Sequence, residues 1–237
     1  MNVIYAFQII LTSVMLFHTS YLDVKKREVD FKVWGIYTPL IIFFLFYYHS
    51  INFLVYSYSF GVSILIFYVF YRFSMMGGAD LIAVFLVGLS NPVTYPLFFS
   101  KLSELGIEPI VFVLFTSLSI LVVSVLNMAK YFKYTKGLPF STRVILSMSA
   151  KRIKVKDFLN SSFLFPLTVV NDDGSSEMRT SFSIEEDDKE WREKYLKLVR
   201  DGRLTEDDYI WVAWGVPVIP FMLIGYLISL FIGLPFS

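Results

Sequence analysis

The chain has 237 residues, of which 56% are hydrophobic, 19% aromatic and only 17% charged. Soluble domains are roughly a quarter charged, so this much Phe and Tyr cannot be hidden in one soluble core, and the composition points to a polytopic membrane protein. The formal charge of +1 selects no partner, and the absence of cysteine excludes a disulfide framework and any thiolate metal or redox site.

A helix needs about 20 apolar residues to cross the hydrocarbon core. Residues 1–22 carry no Asp, Glu, Lys or Arg and predict span one. No small-residue cleavage site follows a short apolar core, so the segment reads as a retained helix and not a removed signal peptide. Residues 33–71 are equally free of charge and predict two short spans, turning near His49-Ser50-Ile51-Asn52. Residues 81–100 predict span four, bent or ended by Asn91-Pro92 and Pro96, and residues 109–129 predict span five. A polar region follows at 130–208, and residues 209–237 predict span six. The expected fold is an α-helical polytopic membrane protein with six transmembrane helices. Helices one to five occupy 1–129, a small α+β cytosolic domain occupies 130–208 between helices five and six, and helix six lies in 209–237.

Within the polar region, residues 143–155 alternate loosely and 163–170 are apolar and β-prone. Asn171-Asp172-Asp173-Gly174 predicts a turn, and residues 178–184 alternate again. Residues 188–200 predict a helix closed by Asp201-Gly202, with the acidic run Glu185-Glu186-Asp187-Asp188 as its solvated start. Thr205-Glu206-Asp207-Asp208 resembles a capping box for the last span. There is no internal repeat, no phosphate-cradling glycine loop and no basic-aromatic pattern suited to nucleic acid.

Lys and Arg in short loops mark the cytosolic side. Lys25, Lys26, Arg27 and Lys32 follow span one and Arg72 follows span three, against Lys101 alone on the other side. Both chain ends are therefore expected outside. Asp23, Gly77-Gly78-Ala79-Asp80 and the polar domain all fall on the cytosolic face.

Carboxylates at the edge of a lipid-embedded segment are costly, because the bilayer cannot solvate the ionised form. Asp80, after Gly77-Gly78-Ala79, opens span four, and Asp23 ends span one. If they meet they make an acid/base pair able to activate water. Interfacial capping or pairing with Lys25, Lys26 and Arg27 is the plainer reading of Asp23. Gly77-Gly78 suggests special backbone dihedrals or close approach beside a wet cavity, with small-residue helix packing as the alternative. Pro217 and Pro220 in span six remove two backbone donors. They predict either a kink or unwound backbone able to pair with an extended substrate. Glu28 and Asp30 read as surface groups, Glu104 and Glu108 fall on the outer side away from Asp80, and His18 reads as a hydrogen-bonded packing residue. With His18 and His49 the only histidines, near opposite faces, neither a histidine metal site nor a Ser-His-Asp triad is expected.

These residues resemble a known pattern. Asp23 with the basic Lys25 and Arg27 behind it, Gly77-Gly78-Ala79-Asp80 before span four, and a proline-containing last helix at 217–221 are similar to the archaeal preflagellin peptidases. Those enzymes are relatives of the type IV prepilin peptidases, within the membrane aspartyl proteases that carry a Gly-x-Gly-Asp-type motif. Ala79 fits the archaeal branch, where presenilin-like members have a second glycine. The missing cysteine cluster argues against a dual peptidase-methyltransferase. The resemblance implies catalytic Asp23 and Asp80, no metal or organic cofactor, and preflagellin (prearchaellin) or pilin-like precursors as substrates. Their short basic leaders would be cut at the cytosolic face of the cell membrane. If helix one stops near Asp23 and helix four starts at Asp80, the helix dipoles favour Asp80 as base and Asp23 as acid. A presenilin-like protease cutting deep in the bilayer, and a non-enzymatic ion or proton transporter, are the rival readings. The sequence sets no oligomeric state.

Overall fold

A computed structural model describes residues 3–72, 76–100, 105–171, 175–183 and 186–234. In chain order its elements begin with α1 (Val3–Lys26), α2 (Phe31–Tyr37), a 3-10 turn (Thr38–Ile41), α3 (Ile42–Tyr47), α4 (Phe53–Arg72), α5 (Gly78–Ser90) and α6 (Glu108–Tyr131). They continue with a 3-10 turn (Phe132–Thr135), α7 (Phe140–Ser149), β1 (Ala150–Lys154), α8 (Val155–Leu159), β2 (Leu164–Pro166), β3 (Thr168–Val170) and β4 (Ser176–Met178). The last are α9 (Asp188–Arg200), β5 (Tyr209–Trp214) and α10 (Val218–Ile232). Two compact units result, Met1–Ile120 with Pro217–Ser237, and Leu121–Val216.

Three helices among the described residues are long and apolar enough to cross a bilayer: Val3–Lys26, Phe53–Arg72 and Glu108–Thr135. They fall at the first, third and fifth predicted spans. The other three predicted spans are shorter apolar helices, Phe31–Tyr47, Gly78–Ser90 and Val218–Ile232. Proline accounts for much of the difference, since it cannot donate within a helix. Pro39 opens the 3-10 turn that breaks the second predicted span. The fourth ends at Ser90, with Asn91 as its C-cap ahead of Pro92. Beyond it the N–H groups of Leu97, Phe98 and Phe99 donate to the carbonyls of Leu230, Phe231 and Ile232 at 3.3, 3.2 and 3.1 Å. They satisfy carbonyls that the end of α10 leaves without helical partners.

In the first unit, α1 packs along α10 and α4 along α5. Their shared core includes Met15, Leu16, Trp34, Phe67, Ala83, Val84, Val87, Ile219 and Met222. Buried polar side chains stitch the helices together. Gln8 of α1 donates to the Asn91 side-chain oxygen at 3.1 Å and to the Val93 carbonyl at 2.8 Å. Tyr226 of α10 donates to the same Asn91 oxygen at 2.8 Å, and the Asn91 amide donates back to Thr12 of α1 at 3.1 Å. Asn91 therefore ties α1, the end of α5 and α10. At Gly225 the backbone of α10 approaches α6 so closely that a Cβ would lie 2.5 Å from the Thr116 nitrogen, so only glycine fits.

In the second unit, β5 is the central strand of an antiparallel sheet ordered β1-β5-β2, with Ala150 opposite Ala213 and Phe165 also opposite Ala213. Its side chains alternate between two cores. Trp211 and Ala213 pack with Tyr131, Leu146, Ala150 and Leu167. Ile210 and Val212 pack with Val155, Phe158 and Tyr195. A strand buried on both faces reads as a continuous apolar run, which is why residues 209–214 were expected to begin the sixth span. They form β5, and the helix starts only at Val218. Thr205–Asp208 accordingly makes a turn into β5, with Thr205 N–H donating to the Asp208 carboxylate at 2.7 Å, and caps no helix.

Residues 143–155, expected to alternate as a strand, fold as the rest of α7 and then β1. The Asn127 amide caps the end of α7 by donating to the carbonyls of Ser147, Met148 and Ala150 at 3.1, 3.2 and 2.9 Å. β2 and β3 fill the β-prone 163–170, and α9 covers 188–200 as expected, with Asp187 as N-cap. Asp172, Asp173 and Gly174 of the predicted turn lie outside the described residues, as do Glu185 of the acidic run, Ile184 at the end of 178–184, and Glu104. Glu186 is not simply solvated. It accepts from Arg179 at 2.9 and 2.7 Å, from Ser183 N–H at 2.8 Å and from the Trp191 indole at 2.8 Å.

Two outcomes follow from this packing. Asn91→Ala removes hydrogen bonds to both α1 and α10, and denaturant titration in micelles is expected to show a loss of roughly 1–2 kcal/mol. In the second unit, burial alone would raise the Glu186 pKa, but the Arg179, Ser183 and Trp191 hydrogen bonds outweigh it and hold the carboxyl below its ordinary value. A depressed carboxyl stabilises the fold above the unfolded-state value, about 4.3 for Glu, and that stabilisation is lost as pH falls through the folded value. Amide exchange in the β3–β4 and α9 region should therefore speed up below about pH 4. Arg179→Gln should bring the same loosening, about 1 kcal/mol, to neutral pH.

Candidate active site

Asp80 lies in the first turn of α5 and is 8% exposed. Its carboxylate accepts the Gly77 N–H at 2.9 Å, and its own N–H donates to the Gly77 carbonyl at 3.2 Å. An acid at the third helical position reaches back to the N-cap amide in this way, and it also faces the positive end of the helix dipole. Asp23 lies in the last turn of α1, with the helix running on to Lys26. It is half-buried, and its carboxylate accepts the Ile219 N–H at 3.3 Å. Ile219 is the second residue of α10. The two carboxylates are close enough for the charge of one to act on the other.

The prolines of the last helix, expected to mark either a kink or unwound backbone, lie at the start of α10. Pro217 is the N-cap of α10 and Pro220 falls in its first turn, where a helix needs no N–H from either. The N–H groups they leave in that turn belong to Val218 and Ile219, and the second of these meets Asp23. Asp23 therefore sits at a helix N-terminus that no motif in its own neighbourhood announces. Helix ends cannot then separate base from acid, because each carboxylate receives one N–H at the start of a helix. The expected assignment of Asp80 as base loses its ground.

Gly77 and Gly78 also differ from expectation. Gly77 has φ −83° and ψ 162°, open to any residue, and Gly78 is already helical. A Cβ would meet the Asp80 carboxylate at 3.8 Å from Gly77, or the Tyr71 ring at 3.8 Å from Gly78, which is ordinary contact. Neither left-handed backbone nor close chain approach explains the pair in this structure. Ala79 is part of α5 and packs against the core.

Arg27 is the residue that sequence reading undervalued. It closes α1 with φ 57°, and its N–H donates to the Asp23 carbonyl at 3.0 Å. This left-handed closure is common for Gly or Asn and uncommon for Arg. It keeps the guanidinium within electrostatic reach of Asp23. Arg27 stood in the sequence as one of the basic residues behind Asp23, and nothing in its type signals such a backbone.

The other acids stay apart from this pair. Glu28 is exposed, and Asp30 caps α2 by accepting the Lys32 N–H at 2.8 Å. His18 shares a 2.9 Å hydrogen bond with the Tyr37 hydroxyl, the packing role expected of it. Glu108 is buried and lines a small cavity with Asn91, Thr94, Tyr226 and Ser229. Asn91 is roughly 16 Å along α5 from Asp80 at 1.5 Å per residue.

Residues 10–125, which include Asp23 and Gly77 to Asp80, match the model of the type IV leader peptidase family, Peptidase A24. Residues 142–234, from α7 through α10, match that of the archaeal Peptidase A24 C-terminus, type II. No curated protein sequence is a significant match. Two models of one peptidase family thus account for both the helical acids and the sheet-bearing region, and the chain belongs to the type IV leader peptidase family as a membrane aspartic peptidase of the archaeal prepilin/preflagellin type.

Proposed function

We propose that Asp23 and Asp80 are the catalytic pair with which this peptidase removes the short basic leader of preflagellin and related pilin-like precursors. The observation that carries the reading is the meeting of the last turn of α1 with the first turns of α5 and α10. Two carboxylates lie in electrostatic reach of each other, each anchored by one backbone N–H. Two acids so coupled share a proton, and their ionisations belong to the pair. The ionised member takes a proton from water while the water oxygen adds to the scissile carbonyl carbon. The neutral member gives its proton to the carbonyl oxygen. The tetrahedral intermediate then collapses, the C–N bond breaks, and the leaving amine takes a proton from the pair.

The short apolar helices complete six membrane crossings in this reading, with both termini outside and the acids at the cytosolic face, as the distribution of Lys and Arg supports. Both acids lie in terminal turns of their helices and not in mid-helix. That supports cleavage at headgroup depth, just before the apolar helix of a pilin-like precursor, over a cut deep in the bilayer. The scissile segment passes beside the two acids in this reading, and Pro217 and Pro220 keep the start of α10 in place along its path.

Asp23→Asn and Asp80→Asn should each lower cleavage of a pilin-like precursor by at least about 10³-fold while the purified proteins stay folded. Near-normal turnover by either variant sinks the pair. Ile219→Pro removes the N–H that meets Asp23 in the first turn of α10, where no helical partner uses it. Its kcat is expected to fall roughly 10–100-fold, measured on folded protein because loss of the buried Ile219 side chain also lowers the melting temperature. An unchanged kcat would show that the contact does not position Asp23.

A further inference from the structure

From 109 to 156 the chain contains no Asp or Glu, yet it carries Lys130, Lys133, Lys136, Arg143 and Arg152 among its basic residues. Lys154 and Lys156, at the end of this stretch, are neutralised by Asp207 at 2.8 and 3.4 Å. The five named first take no part in the ion pairs found among the described residues. Four of them, all but Lys136, lie instead on aromatic rings. Lys130 is 5.0 Å from the Tyr131 ring and Lys133 is 4.9 Å from the Tyr134 ring. Arg143 is 4.2 Å from the Phe132 ring. Arg152 reaches both Tyr134, at 5.2 Å, and Tyr209, at 4.5 Å. The end of α6, the turn after it, α7 and β1 therefore carry cations set on rings, with Lys133, Tyr134, Arg152 and Tyr209 joined in one run, all within the second unit.

Chain geometry sets the depth of this face. The apolar helix Glu108–Thr135 has 28 residues. At 1.5 Å per residue it is about 42 Å long, against a hydrocarbon core of about 30 Å. Its excess length brings Lys130 and Lys133 to the level of lipid headgroups, where Lys and Tyr side chains find both an apolar and a polar environment. Just beyond, α7 turns Leu146 and Ser147 inward and leaves Phe140 73% and Ile145 45% exposed. An apolar edge rimmed by cations that have no acid of their own fits an anionic lipid surface.

We propose that the face formed by the end of α6, α7 and β1 docks on anionic phospholipid headgroups. The cations pair with lipid phosphates, and Phe140 and Ile145 enter the headgroup boundary. The contact holds the sheet-bearing unit against the leaflet from which α6 emerges.

The absence of cysteine allows a single spin label at Ser141→Cys, beside Phe140 and away from the acids. The full chain is placed in nanodiscs of phosphatidylcholine alone, or with about a third phosphatidylglycerol, enough for a surface potential of tens of millivolts. Depth is read from the label's relative collision rates with oxygen and a neutral nickel chelate. In anionic discs the label should lie at headgroup depth, with nickel collisions at least about threefold below those in phosphatidylcholine, and high salt should reverse the difference. Lys133→Ser/Lys136→Ser, two exposed positions outside the sheet, should bring the anionic reading back to the neutral one. Equal nickel access in both lipids, whether high or low, overturns the proposal, as does an anionic reading that the double variant leaves unchanged.

Discussion

A bilayer gives a buried polar group nothing to bond to except protein. The first unit is organised around that constraint. Asn91 gathers Gln8 and Thr12 of α1 and Tyr226 of α10 at the end of α5. The same three helices carry Asp23, Asp80 and the start of α10 at their other ends. One polar joint therefore sets how these helices lie against one another, and the carboxylates inherit their relative position from it.

At the acidic end the same rule is met with backbone. Asp80 takes the amide of its own N-cap and Asp23 takes the amide of Ile219. Each carboxylate has lone pairs beyond the one it gives to the backbone N–H that it accepts. In the proposed reaction those lone pairs serve the water and the peptide.

The second unit solves a different problem. Its six-residue central strand is buried on both faces, so a small sheet acquires two cores with short strands. α6 supplies Tyr131 to one of those cores and the Asn127 amide to the end of α7. The helix that leaves the apolar region is thus also a structural member of the sheet-bearing unit.

The apolar runs, the two acids and the glycine-aspartate motif were legible in the sequence, because composition, charge and local spacing determine them. So were α9, with its cap and its closing Asp201-Gly202, and the β-prone 163–170. Span lengths were less legible: charge-free runs do not tell a long helix from one that proline stops, as at Pro39 and Pro92. Residues 209–214 misled for a related reason, since a strand covered on both sides and a membrane helix share one apolar signature. Only the tertiary structure brought the Ile219 amide to Asp23, residues 196 positions apart. Only it put Arg27 in a left-handed closure, and only it made Asn91 the joint of three helices. Long-range pairing depends on how helices pack, and packing is a property of surfaces that no local pattern carries.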